Sequence, residues 1–164
     1  MAALHGIDSV AATRVAVHDD SDHKEKHPMH THLTHMQFNV QPENMAFYSQ
    51  LLAFVGWQPL YETEGMLGVA DKNGVSLWFI GQVKAVSNDY DGPGMNHLAL
   101  AAASQAEVDA VAAYLTERAV KLLFETPRHR AEFTQSAEQT YYQVMFETPD
   151  RILIEVVYTG PKAA

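Results

Sequence analysis

Cysteine is absent from the 164-residue chain, which excludes disulfides, thiolate metal sites and a cysteine nucleophile. Basic residues are scarce: 11 Lys and Arg stand against 20 Asp and Glu, a formal charge of −9. A nucleic-acid groove and a face for anionic lipid both require the opposite sign, so neither partner is expected. No apolar run approaches the ~20 residues that span a bilayer. The start, Met1-Ala2-Ala3-Leu4-His5, lacks the charged-then-apolar order of a secretory signal. A glycine-rich phosphate loop, a nucleophile elbow and a dinucleotide fingerprint are missing as well. What is present is 47% apolar residue, enough for one core of ordinary size. The expectation is a globular, cytoplasmic protein.

Residues 1–30 stand apart. The stretch from His18 to Pro28 is polar and charged without periodicity and reads as a flexible extension. A single domain is expected over 31–161, built from repeats at 31–81 and 95–159. In the first, Met36, Phe38 and Val40 alternate with His35, Gln37 and Asn39, the period of a strand with one apolar face. Pro42 opens a helix closed by Gly56, with Phe47, Leu51, Leu52 and Val55 as its buried stripe. Strands are expected near Pro59–Ala70 and Val75–Ile80. A polar loop ending in Asp91-Gly92-Pro93-Gly94 separates the halves. His97–Ala101 then reads as a strand. Ser104 and Glu107 form a capping box for a helix burying Val108, Val111, Ala112 and Leu115. Further strands are expected near Val120–Glu125, Thr140–Phe146 and Arg151–Tyr158, with a long loop over 126–139.

The halves match at a nearly fixed offset. His35 and His97 are 62 positions apart (97 − 35), and each opens a strand that leads into a helix. Leu60-Tyr61-Glu62-Thr63 returns as Leu123-Phe124-Glu125-Thr126. Together these imply a duplicated strand–helix–strands unit. Two curved sheets facing each other would bring equivalent strands to one cleft.

Here the chain resembles the vicinal oxygen chelate superfamily. That family includes glyoxalase I, fosfomycin- and bleomycin-resistance proteins and extradiol dioxygenases. The likeness rests on His35 with Val40, then Phe47-Tyr48 and Gly56-Trp57. It continues in Gly94-Met95-Asn96-His97-Leu98-Ala99-Leu100 and the close Thr148-Pro149-Asp150-Arg151-Ile152-Leu153-Ile154-Glu155. It implies an α+β fold of two βαβββ units forming a curved mixed sheet around a cleft. It also implies a homodimer and a metal site made of His35, His97 and Glu155.

Glu155 is informative without the resemblance. Both faces of its strand are mostly apolar, and a carboxylate there is costly unless paired or bound to a cation. Two imidazoles and one carboxylate form a triad with open positions, compatible with iron, manganese, zinc or nickel. Glyoxalase I has a fourth ligand, a glutamate, where the count from Gly74 reaches Trp78. Trp78 cannot ligate and is expected to form an apolar wall against substrate. Arg151 replaces a glycine common in the family. One of Tyr141 and Tyr142 faces inward on a regular strand. Tyr142, as proton donor, and Gln37 are the expected catalytic groups. Asn39 and Arg128 are expected to bind substrate, with His129 and Arg130 on the same loop. The activity so implied is metal-dependent dioxygenase or lyase chemistry, or isomerase or transferase chemistry, on a small molecule with vicinal oxygens. The alternative is a metal-free protein that sequesters a small molecule or drug.

Overall fold

The computed structural model describes residues 31–81, 84 and 86–163, so the extension expected over 1–30 lies outside the described residues. The first half runs β1 (His35–Asn39), α1 (Met45–Phe54), β2 (Gln58–Thr63), β3 (Met66–Ala70) and β4 (Ser76–Ile80). The second runs β5 (His97–Ala101), α2 (Gln105–Glu117), β6 (Arg128–His129), β7 (Gln139–Glu147) and β8 (Leu153–Pro161). Each half makes one four-stranded mixed sheet, ordered β1-β4-β3-β2 and β5-β8-β7-β6. In both, the first strand lies parallel to the last and the remaining pairs are antiparallel. The duplicated unit read from the sequence is thus the architecture.

Two strands differ from expectation. The segment Pro59–Ala70 breaks at Glu64 and Gly65 into the hairpin of β2 and β3. Val120–Glu125 is not a strand: Leu122 makes one isolated bridge to Phe146. Ala119, Phe124 and Glu125 adopt φ of 56°, 56° and 57°, a left-handed backbone that extended chain does not tolerate. The two-residue β6 takes the edge position instead.

The helices follow their sequence signals. A 3-10 turn at Pro42–Asn44 leads into α1, which buries Met45, Tyr48, Leu51 and Leu52. Its stripe is rotated from the expected one, leaving Phe47 and Val55 half-buried. In α2, Val108, Val111, Ala112 and Leu115 are buried as the spacing requires. Ser104 Oγ accepts from the Glu107 N–H at 3.2 Å. The Glu107 carboxylate reaches back to the Ala103 N–H, one residue before the cap.

One core joins both halves, with Phe38, Phe79, Tyr48 and Leu51 meeting Val111, Phe146, Ile152 and Ile154. Tyr48 is fully buried, and its hydroxyl donates to Asp150 Oδ2 across the halves at 2.7 Å. Burial pushes that phenol far up, and the Asp150 carboxylate adds to the rise. The edge strands keep one face on this core. On β1, His35, Gln37 and Asn39 are exposed and alternate with half-buried Met36 and buried Phe38. On β5, His97, Ala99 and Ala101 are exposed. Among the described residues no helix is long and apolar enough to cross a membrane.

Candidate functional site

Strand β8 is an interior strand of the second sheet, and residues 153–157 of it are buried on both faces. Glu155 lies between Ala99 of β5 and Met145 of β7 and is 2% exposed. Its Oε2 is 3.1 Å from His97 Nε2, whose ring is 37% exposed. Among the described residues its buried Oε1 has no hydrogen-bond partner. An unpartnered buried carboxylate oxygen is rare and expensive, and it fits a site where a cation binds. The donors present, imidazole nitrogen and carboxylate oxygen, suit iron, manganese, zinc or nickel.

This pair opens into a cavity of about 570 Å³ lined by Tyr141, Arg130, Phe124 and Phe133. Burial first, and then the Glu155 carboxylate beside it, push the Tyr141 phenol up to about 12. Tyr141 therefore holds its proton at neutral pH and can donate it to an oxygen in the cavity. The Arg130 guanidinium is 2.6 Å from Glu132 and sits over the Phe133 ring at 5.0 Å.

Tyr141, and not Tyr142, is the inward tyrosine. The β7–β8 register sets Met145 opposite Glu155, and Tyr141, Gln143 and Met145 share its face. Tyr142 points to the helix side, donates to Asp109 Oδ1 at 2.7 Å and packs on His129 at 4.6 Å. Arg128 is likewise displaced. It pairs with Glu125 at 3.4 Å on the edge strand and does not line the cavity, whereas Arg130 does.

The first-half residues lie elsewhere. Gln37 and Asn39 share the outer face of β1 with His35, and border a separate groove of about 360 Å³. His35 is exposed, with Nδ1 3.2 Å from Thr34 Oγ1, and does not line the Glu155 cavity. Among the described residues no three His, Asp or Glu side chains converge to hold an ion. One chain thus unites His97 and Glu155 but not His35. Trp78 pairs with Gln37 as Glu155 pairs with Ala99, so it occupies the position equivalent to Glu155 in the first sheet. Its ring lies against Gly68 and its Nε1 donates to Ser76 Oγ at 3.1 Å.

Phe124 and Phe133 were not singled out by the sequence, whereas Arg130 was read with Arg128 and His129 as a loop group able to clamp an anionic substrate. The two phenylalanines carry no periodic signal because they sit on irregular backbone.

Comparison with known proteins agrees with this fold. Residues 14–156 match the profile of the Glyoxalase/Bleomycin resistance protein/Dioxygenase superfamily. No curated protein matches. Among solved structures, a candidate glyoxalase from Bacillus halodurans is 27% identical, with a TM-score of 0.64 over 77% of this chain and 94% of that one. The genomically encoded fosfomycin resistance protein of Listeria monocytogenes, complexed with Mn(II) and sulfate, is 18% identical. It superposes with a TM-score of 0.59 over 80% of this chain and 93% of its own. A glyoxalase/dioxygenase from Nostoc punctiforme is 15% identical, with a TM-score of 0.58 over 79% and 91%.

Proposed function

The chain belongs to the Glyoxalase/Bleomycin resistance protein/Dioxygenase superfamily, and from that premise we propose a metal-dependent enzyme acting on a small molecule with two adjacent oxygens. One observation carries the reading: the buried Glu155, its free Oε1 and its contact with His97 at the wall of a substrate-sized cavity. Burying an unpartnered carboxylate lowers stability, and a bound cation offsets that loss. His97 and Glu155 are the ligands from this chain. The chemistry a divalent ion supplies in such a site is Lewis-acid stabilisation of charge developing on adjacent substrate oxygens.

The protein's own groups complete the site. Tyr141 holds a proton at its phenol oxygen, ready for an oxygen of the substrate. Arg130 places positive charge at the wall, suited to an anionic substituent. Phe124 and Phe133 give the cavity an apolar wall. Both rings are more than half exposed in the single chain, at 52% and 57%. Leu60 and Tyr61 on β2 are equally open, at 55% and 52%. Apolar side chains this open gain from burial against a partner. In the proposed assembly a second copy of the chain supplies that cover and brings its own His35 to the His97–Glu155 pair, giving a homodimer with two composite sites.

The test is Mn(II) binding by tag-free protein. His97→Ala and His35→Ala should each lose the ion. Mixing the two variants and allowing exchange should restore part of the binding, because one composite site in each mixed dimer is intact. Wild-type protein that binds no Mn(II), Fe(II), Zn(II) or Ni(II) would sink the enzyme reading and favour metal-free sequestration. Binding that survives in His35→Ala would remove the second copy from the site. Screening loaded protein against catechols, thiol hemiacetals and epoxides then identifies the reaction.

A further inference from the structure

The geometry around His97 decides which of its nitrogens carries the proton, a question that rests on reading His97 and Glu155 as ligands. Asn96 immediately precedes His97. Its Nδ2 lies 2.8 Å from the Tyr90 carbonyl oxygen, and its Oδ1 lies 2.9 Å from His97 Nδ1. A carbonyl oxygen only accepts, so the amide end facing Tyr90 must be the NH₂. Turning the amide over would set two acceptors against each other at 2.8 Å. The end facing His97 is therefore the oxygen, and Nδ1 donates to it.

The Tyr90 carbonyl is itself held in place. Asp89 braces the turn around it: the Asp91 N–H donates to Asp89 Oδ1 at 3.1 Å and the Gly92 N–H to the Asp89 carbonyl at 3.3 Å. With the imidazole proton on Nδ1, Nε2 directs its lone pair at Glu155 Oε2, 3.1 Å away. Both atoms then present lone pairs that a divalent ion would take.

The first repeat carries the same arrangement. Thr34 precedes His35 as Asn96 precedes His97, and its Oγ1 lies 3.2 Å from His35 Nδ1. In both halves the residue before the histidine occupies Nδ1 and leaves Nε2 for the ion. A hydroxyl both donates and accepts, so Thr34 does not select a tautomer; the anchored amide does.

We infer that Asn96, fixed by the Tyr90 carbonyl, is a positioning residue that keeps a proton on His97 Nδ1 and reserves Nε2 for the metal. Long-range proton–nitrogen correlation spectra of histidine-labelled protein read this directly, with His97→Ala providing the assignment. Wild-type Nδ1 should resonate in the protonated range. Asn96→Leu removes the acceptor, so the proton moves to Nε2, where Glu155 accepts it. Nδ1 then shifts to the bare range, and Mn(II) affinity falls about 10- to 100-fold. Asn96→Asp keeps an acceptor opposite Nδ1 but sets its other oxygen against the Tyr90 carbonyl, so the Nδ1 proton should remain while Mn(II) affinity falls less than in Asn96→Leu. A bare Nδ1 in wild type overturns the inference, and so does an Asn96→Leu variant with a protonated Nδ1 and undiminished affinity. A protonated wild-type Nδ1 in protein that binds no metal would uphold the role of Asn96 and defeat the metal reading.

Discussion

At the scale of single residues, Glu155 sets function against stability. Its Oε1 is buried with no partner among the described residues, and such a group destabilises by about 1–3 kcal/mol. Glu155→Leu should therefore raise the urea midpoint of metal-free protein while abolishing Mn(II) binding. A variant less stable than metal-free wild type would show that the carboxylate already has a partner that matters. Glu155 was legible in the sequence because apolar residues flank it on both strand faces, a pattern that makes a carboxylate conspicuous. Tyr141 was not. A strand's alternation says that one of two adjacent tyrosines faces in, but only the pairing of Met145 with Glu155 says which. Tyr141→Phe should accordingly lower turnover by about 10²–10⁴-fold, the range of a lost proton donor, in whatever reaction the screen finds. Tyr142→Phe, which severs only the bond to Asp109, should leave turnover intact. Equal losses in both variants would contradict the assignment.

Among the elements, what the sequence made readable was what local chemistry decides. The cap of α2 is an example: Ser104 and Glu107 lie three apart, and both bond backbone N–H groups at the helix start. Ser104→Ala should lower stability by about 1 kcal/mol, seen as an earlier urea midpoint with unchanged slope. Where a whole segment read as extended, the sequence could not place the break. The hairpin at Glu64 and Gly65 and the left-handed backbone at Phe124 and Glu125 depend on packing across the sheet. The equivalence of Trp78 and Glu155 was visible by counting from Gly74 and from Arg151. The structure gives the reason, since both turn residues adopt positive φ, 84° and 58°. The Trp78 ring in turn requires Gly68, where a Cβ would lie 2.7 Å from it. Gly68→Ala should displace the indole, break its bond to Ser76 and change tryptophan emission, with a loss of about 1–3 kcal/mol. Unchanged emission would mean that the ring does not rest there.

For the whole molecule, the position of His35 was the feature furthest from reach, because it depends on how the two sheets are arranged and not on any local pattern. What holds the halves of one chain together is clearer. Tyr48 reaches from α1 to Asp150 in the turn before β8, and its phenol lies well above the ordinary range through burial and that carboxylate. Tyr141 and Tyr142 are both pushed up to about 12, each by burial first and a neighbouring carboxylate second. In the unfolded chain all three ionise near pH ~10. Below that, folded and unfolded chains both keep these protons, and the contribution to stability is complete. Between about pH 10 and 12 only the unfolded chain releases them, so stability falls as pH rises. The urea midpoint should stay level from neutrality to about pH 10 and drop above it. Tyr48→Phe should start from a lower midpoint, because it loses the bond across the halves, yet show a shallower alkaline decline, because one buried phenol no longer opposes ionisation. A Tyr48→Phe variant that declines as steeply as wild type would place the alkaline sensitivity in the general repulsion of a chain carrying −9, not in this strut.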